Sequence, residues 1–132
     1  MTPGQVVFRF VDRINAGDVA GLADLMTGDH EFRDSMGTPV SGREAMREAW
    51  SSYFAMVPDY RIDVDEIFTS GAVVVLLGTA SGTLSRDGSL RPEDAWSTPA
   101  AFRAHVAAGL VAAWRVYADN EPVRQRMAVA RD

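Results

Sequence analysis

The change from helix to strand that decides the fold of this 132-residue chain lies in the stretch His30-Glu31-Phe32-Arg33-Asp34-Ser35-Met36-Gly37. Phe32, Asp34 and Met36 alternate along it, so a strand here places the Asp34 carboxylate on an apolar face. Loss of hydration on such a face makes a carboxylate a stronger base, able to take a proton from carbon near neutral pH. The alternative interpretation is an Asp near the strand end that caps a turn with its side chain.

The residues around this stretch predict three helices. Apolar residues at helical spacing predict a first helix, which ends at Asn15-Ala16-Gly17, and Asp18 is a suitable N-cap for a second. Ser41-x-x-Glu44 predicts a capping box that opens a third helix. The residues expected to face inward from the third helix are Ala45, Met46, Ala49, Trp50, Tyr53, Phe54 and Val57.

Long strands with turn residues between them follow the third helix. The alternation predicts strands at about 60–69, 72–84, 100–107 and 110–118, with a loop at 85–98 that contains Arg86-Asp87-Gly88 and Pro92 and is followed by Pro99. Helices followed by antiparallel strands predict an α+β fold in which a curved sheet wraps on three N-terminal helices. Residues 1–132 read as one domain, with a core of about 4–125 and a short C-terminal tail.

Apolar and charged residues separate onto opposite faces of the last two predicted strands. Phe102, Ala104, Val106, Trp114, Val116 and Ala118 share the inner face, and the outer face carries Arg103, His105, Arg115, Tyr117 and Asp119. The mixed outer face is suited to a two-fold contact, so a homodimer packed through it is expected.

Composition excludes several classes of protein. A net charge of −5 argues against a nucleic-acid or anionic-membrane partner. With no Cys and two His, a disulfide, a thiolate nucleophile and a His-rich metal site are not expected. No signal peptide or membrane span is visible, so a cytoplasmic location is expected.

Three motifs resemble the SnoaL-like polyketide cyclases of the nuclear-transport-factor-2-like superfamily. They are Phe32-x-Asp34-x-Met36-Gly37, Val40-x-Gly42-Arg43-Glu44 and the ending Trp114-Arg115-Val116-Tyr117-Ala118-Asp119-Asn120-Glu121-Pro122-Val123. Ketosteroid isomerases and limonene epoxide hydrolases belong to the same superfamily. The resemblance implies a cone-shaped fold with a deep pocket, acid–base chemistry without a cofactor in the enzymes, and frequent dimers through the outer face of the sheet.

Carried over by position, Asp34 matches the general base of the ketosteroid isomerases. Phe10 takes the place of their oxyanion Tyr, and Phe102 falls near their protonated Asp. Met26 and Trp50 replace the supporting tyrosines. Because the oxyanion donors are usually the largest electrostatic contribution, steroid isomerisation is not expected.

The other enzymes of the superfamily match in part. Asp119 lies near the acid of the SnoaL-type cyclases, and His30 is a possible accessory residue near the pocket mouth. Epoxide hydrolases hold a water with an Asp–Arg–Asp arrangement, but Arg103 and Asp119 are expected to face outward. Val116 stands where those enzymes carry an acid.

The sequence therefore predicts a cofactor-independent cyclase, isomerase or dehydratase, in which Asp34 acts as general base on a carbonyl-bearing or polyketide-like ligand. The residues expected to bind this small apolar organic molecule are Phe10, Trp50, Tyr53, Phe102, Trp114 and Val116. One alternative is a non-catalytic ligand-binding or accessory protein, and another is an epoxide hydrolase. An enzyme needs a second polar group that converges on the ligand near Asp34.

Overall fold

The elements of the fold are known for residues 1–131, which the computed structural model describes. In chain order they are α1 (Pro3–Asn15), α2 (Val19–Asp24), β1 (Met26–Arg33), β2 (Pro39–Ser41), α3 (Arg43–Met56), β3 (Arg61–Ser70), β4 (Val73–Arg86), β5 (Ser89–Ala107), β6 (Leu110–Ala118) and α4 (Glu121–Arg131). The strands form a curved sheet in the order β2-β1-β6-β5-β4-β3, and α1 and α3 pack into its core. The predicted α+β class is confirmed.

The first helix forms as its sequence predicts. Thr2 caps α1 through a reciprocal pair of bonds with Gln5, in which Thr2 N donates to Oε1 over 2.9 Å and Gln5 N donates to Oγ1 over 3.2 Å. Five apolar side chains on one face of α1 are buried: Val6, Val7, Phe10, Val11 and Ile14. Gly17 follows with φ +64°, a conformation that favours glycine, and this ends the helical segment.

The predicted capping box at Ser41 is wrong. Ser41 belongs to β2, where it pairs with Glu31, so the N-cap of α3 is Gly42, which makes no side-chain capping bond. Arg43 instead ties the start of α3 to the sheet, because its Nε and Nη2 donate to the Met26 carbonyl over 3.1 and 2.7 Å. Ala45, expected to face inward, is exposed.

The strand predicted at 30–36 begins and ends earlier, at Met26 and Arg33. It runs parallel to β6, with Phe32 beside Trp114, and antiparallel to the short β2. The chain therefore turns at residues 34–38, where Asp34 N donates to Thr38 O. The bounds of β1 depend on its pairing with β6, which lies near the other end of the sequence. The alternation of residues within β1 gives no information about that pairing.

The loop predicted at 85–98 is also wrong, because β4 and β5 continue into a long hairpin. Its tight turn is Asp87-Gly88, with φ +50° and +85°, which suits a two-residue hairpin connection. The register of the β4–β5 pairing shifts between Thr83 and Ser85. This irregularity accommodates the extra residues of β5 around Pro92. Asp94, Trp96, Thr98 and Ala100 continue the buried face of β5.

The expected C-terminal tail is the helix α4. Val123 and Met127 pack against the core, and Arg126 Nε donates to the carbonyl of Ala95 on β5 over 2.9 Å. The two faces predicted for β5 and β6 are confirmed, since Phe102, Ala104, Val106 and Trp114 are buried whereas Arg103, His105, Arg115 and Tyr117 are exposed. Helix α4 thus closes against one end of the inner face.

Candidate active site

A cavity of about 350 Å³ lies between α3, the inner face of the sheet and the start of α4. Alanines line it where larger side chains would fill the space: Ala49 on α3, Ala80 on β4 and Ala118 on β6. Its floor includes Trp114, which is 1% exposed. Because these small residues lie on both α3 and the inner face of the sheet, the helices and the sheet enclose room for a small molecule.

Four aromatic side chains form one side of the cavity, here called the aromatic wall: Trp50, Tyr53, Tyr60 and Trp96. Tyr53 stands almost perpendicular to Trp50 (84°, ring centroids 6.2 Å apart) and to Tyr60 (86°, 5.0 Å). Tyr60 continues to Trp96 over 6.1 Å. The rings therefore make a continuous aromatic surface that faces in several directions.

The two tyrosines of the aromatic wall remain protonated. Burial raises the pKa of Tyr53, and burial together with the neighbouring Tyr53 raises the pKa of Tyr60, because a phenolate is poorly solvated there. Neither hydroxyl has a hydrogen-bond partner among the described side chains, residues 1–128. Both phenols are therefore available as donors to a bound molecule.

The two tryptophans of the aromatic wall also carry unused donors. Nε1 of Trp50 and Nε1 of Trp96 are buried and have no hydrogen-bond partner among the described residues. A buried donor without an acceptor costs roughly 1–3 kcal/mol. Both atoms are closed off from solvent and from the cavity, so the folded protein carries this cost itself.

The exposed end of the cavity is polar and is called here the polar rim: Asp34, Ser35, Asp119 and Asn120. Ser35 Oγ lies 2.5 Å from Asn120 Oδ1, which joins the turn after β1 to the chain after β6. Asp119, which was expected to face outward, is exposed but lines the cavity, and its Oδ1 accepts from Glu121 N at the start of α4. The polar rim thus comes from the ends of two neighbouring strands.

Asp34 lies just past the end of β1 and is half-buried, so the expectation of a strand residue on an apolar face is wrong. Its Oδ1 accepts from Met36 N and from Thr38 N, each over 2.9 Å, which makes it the turn cap of the alternative interpretation. Its Oδ2 has no partner among the described residues. Asp34 lines the cavity together with Phe32, so the turn cap and the pocket position coincide.

The expected ligand-binding residues divide into two groups. Trp50, Tyr53, Trp114 and Val116 line the cavity. Phe10 and Phe102 do not: both are fully buried beneath the floor, with ring centroids 5.0 and 5.3 Å from that of Trp114. They were expected in the cavity wall because the spacing of apolar residues identifies the inner face of a helix or strand. It does not show whether a residue on that face borders the cavity or is packed beneath it.

His30 is not near the pocket mouth, as was expected, but completely buried on β1 beside the Phe10 ring. Its Nδ1 lies 2.7 Å from the Val111 carbonyl, which can only accept, so Nδ1 carries the proton. Burial lowers the pKa of the ring, which keeps it neutral. Its Nε2 has no partner among the described residues. His30 does not line the cavity.

Three residues that line the cavity were not identified from the sequence: Tyr60, Trp96 and Thr98. Trp96 and Thr98 lie in the segment interpreted as a loop, although their alternation with Ala100 is a strand signal. Asp94 continues the same alternation and is fully buried, paired with Arg86 through two bonds of 2.6 and 2.7 Å. The Arg86 guanidinium holds the pKa of Asp94 below its ordinary value. This ion pair lies outside the cavity.

Two further arrangements are absent from the described residues. Arg103 is exposed on the outer face, so the Asp–Arg–Asp arrangement of the epoxide hydrolases does not form in this cavity. The side chains of residues 1–128 contain no group of three or more His, Asp or Glu residues placed to hold a metal ion.

No helix among the described residues is long and apolar enough to cross a membrane.

A curved sheet, N-terminal helices and an enclosed cavity define a class of small pocket proteins, and comparisons identify the family. Residues 7–114 match the model of the SnoaL-like domain, so the chain belongs to that family. No curated protein sequence matches the chain significantly.

Solved structures confirm the fold. A SnoaL-like polyketide cyclase candidate from Shewanella denitrificans superposes with a TM-score of 0.83 at 12% identity, covering 96% of this chain and 97% of that one. IdmH, a candidate polyketide cyclase from Streptomyces antibioticus, has a TM-score of 0.78 at 20% identity, with 97% and 99% coverage. A protein of ketosteroid isomerase-like fold from Catenulispora acidiphila, in complex with trimethylamine, has a TM-score of 0.82 at 16% identity, with 97% and 95% coverage.

Proposed function

We propose that this protein is a cofactor-independent enzyme that removes a proton from a carbon next to a carbonyl group, in a cyclisation or isomerisation. Asp34 is the general base, and the phenols of Tyr53 and Tyr60 are hydrogen-bond donors to the carbonyl oxygen. The observation that supports this proposal is that a carboxylate with an unpartnered oxygen and two unpartnered phenols line the same largely apolar cavity. These phenols are the second polar group that an enzyme of this kind needs.

The chemistry needs no other group. Oδ2 of Asp34 takes the proton, the C–H electron pair forms a carbon–carbon double bond, and the carbonyl π pair moves onto oxygen. The phenols stabilise the enolate oxygen and stay protonated, because burial raises the pKa of both. The enolate carbon then attacks a second carbonyl carbon and closes a ring, and the oxygen of that carbonyl takes up the proton from Asp34. In an isomerisation, Asp34 instead returns the proton to another carbon.

The substrate class follows from the walls. Aromatic and aliphatic side chains together line most of the cavity, so a cyclic or polyketide-like carbonyl compound buries its apolar surface there. Several proteins of the same fold are candidate polyketide cyclases, which supports this class.

Proton abstraction can be tested without the natural substrate. The rate at which the α-protons of 2-tetralone exchange in D₂O, followed by proton NMR, directly measures the activity of the general base. We expect Asp34→Asn to slow exchange about 100-fold, since general base catalysis contributes this much or more. Asn keeps an Oδ1 acceptor for the turn, so the fold is retained, which circular dichroism checks.

Two comparisons make the test specific. Asp29→Asn, on exposed β1 surface outside the cavity, is the matched control and leaves exchange unchanged. Tyr60→Phe keeps the ring and removes the donor, and it slows exchange. Equal exchange in the Asp34→Asn variant and the unmodified protein contradicts the proposal.

The second candidate function is ligand binding without turnover. The observation that favours it is the role of Asp34 Oδ1 as acceptor of two backbone N–H groups, which gives this carboxylate a structural reason to be present. If this second function is correct, the protein binds 2-tetralone, but the α-protons exchange no faster than in buffer without protein.

A further inference from the structure

The charged groups that line the cavity are all of one sign. Asp34 and Asp119 contribute carboxylates at the polar rim, and the described lining contains no Lys, Arg or His. Neither carboxylate has a basic side chain within hydrogen-bond distance among the described residues. In a partly enclosed cavity such an imbalance attracts a cation and disfavours an anion.

The aromatic wall supplies the other half of a cation site. Indole and phenol rings carry negative charge on their faces, and they bind an ammonium group within about 6 Å of the ring centre. In this wall Tyr53 stands at 84° to Trp50 and at 86° to Tyr60, while Trp96 is tilted by 35° from Tyr60. These rings pack directly against one another in different orientations, so a rounded ammonium group in the cavity can contact more than one of them.

We propose that the ligand of this cavity carries a tertiary or quaternary ammonium group, held by the faces of the aromatic wall and balanced by the carboxylates of Asp34 and Asp119. This inference rests on the proposed function insofar as it names the substrate class of the same site. The phenols of Tyr53 and Tyr60 donate to an oxygen acceptor, so the substrate is an amine-bearing carbonyl compound.

Two probes of the same shape isolate the charge. Choline and 3,3-dimethylbutan-1-ol differ in the replacement of the quaternary nitrogen by carbon, so their apolar contacts are matched. We expect choline to bind at least about tenfold more tightly by isothermal titration calorimetry, which corresponds to about 1.4 kcal/mol. All three tryptophans of the chain line the cavity, so a saturable change in tryptophan fluorescence places the choline there.

Variants separate the ring faces from the hydroxyl groups. Tyr53→Leu removes a ring face and weakens choline binding, whereas Tyr53→Phe keeps the face and retains it. Asp119→Asn, which preserves the acceptor that caps α4, weakens choline binding but not binding of the neutral alcohol. Asp29→Asn is the control for a lost charge outside the cavity.

Equal affinity for the two probes, binding of neither, or choline binding that Tyr53→Leu leaves unchanged overturns the inference. None of these outcomes depends on proton abstraction. A failure of the proposed function, seen as 2-tetralone exchange that Asp34→Asn does not slow, is therefore a separate result.

Discussion

His30 shows what a single buried side chain contributes at the residue scale. Its neutral ring donates from Nδ1 to Val111 O, and its Nε2 is buried without a partner among the described residues. The folded protein therefore disfavours the charged ring, whereas the unfolded chain accepts a proton near pH 6.5. Since the unfolded state binds more protons below that pH, protonation favours unfolding.

We expect the free energy of unfolding to fall as the pH drops below about 6.5, by up to about 1.4 kcal/mol per pH unit from this group. The sign follows from a folded pKa that lies below the unfolded one: the contribution is fully present above the unfolded pKa and is lost as the pH decreases towards the folded pKa. Urea unfolding between pH 5 and 7.5 measures it.

The chain offers a matched pair of histidines for this test. His30→Leu removes the titrating group and flattens the pH dependence, even though it changes the stability itself. His105→Gln alters the other histidine, which is exposed on the outer face, and leaves the dependence as it was. An unchanged slope in His30→Leu contradicts the assignment.

At the scale of elements, the link from β2 to α3 positions the cavity-facing side of α3. Gly42 makes this link with φ +99° and ψ 142°, and its N donates to the His30 carbonyl over 2.7 Å. This backbone region is almost confined to glycine, because a Cβ clashes with its own chain. Apart from Gly42 itself and its chain neighbours, no atom of the described residues lies within 4 Å of a Cβ built at this position, so the cost of a substitution is conformational.

We expect Gly42→Ala to lower the free energy of unfolding by about 1–3 kcal/mol. Gly28→Ala is the control: Gly28 also has open space around it, but its φ is not positive. Chemical denaturation of the two variants provides the comparison. A Gly42→Ala protein as stable as the Gly28→Ala protein rules out backbone strain as the reason for this glycine.

At the scale of the whole molecule, the outer face of the sheet carries a row of like charges. Arg33 pairs in register with Arg115, and Arg115 with Arg103, which places three guanidinium groups on adjacent strands. Like charges on neighbouring strands repel each other. Asp65 and Glu66 lie farther across the same surface.

We propose a homodimer in which a two-fold axis brings the arginine row of one copy towards the acidic groups of its partner. Arg115→Glu is expected to shift the protein towards monomer in light scattering at micromolar concentration. Arg9→Glu, an equal charge change on exposed α1, leaves the state unchanged. A monomeric unmodified protein, or a dimer insensitive to Arg115→Glu, contradicts the proposed interface.

Elements with strong local signals could be predicted from the sequence. The apolar spacing of α1, the Asp18 cap of α2 and the two faces of β5 and β6 are local properties, and the structure confirms them. The predictions of secondary structure were wrong where two local sequence signals indicated different structures. The prolines and the buried Asp94 obscured the alternation of β5, because an ion pair with Arg86 makes a charged residue acceptable inside.

The sequence by itself determined the family fold, the inner face of the sheet and the presence of a carboxylate near the end of β1, but left open whether Asp34 lies on the strand or in the turn. Only the tertiary structure decided which inner-face residues border space and which are packed beneath it. Trp114 lines the cavity whereas Phe10 and Phe102 do not, and Tyr60 and Trp96 join Trp50 and Tyr53 in one wall. The physical reason is that alternation along a strand reports the face of a residue, while depth and neighbours depend on sheet curvature and on contacts between distant segments.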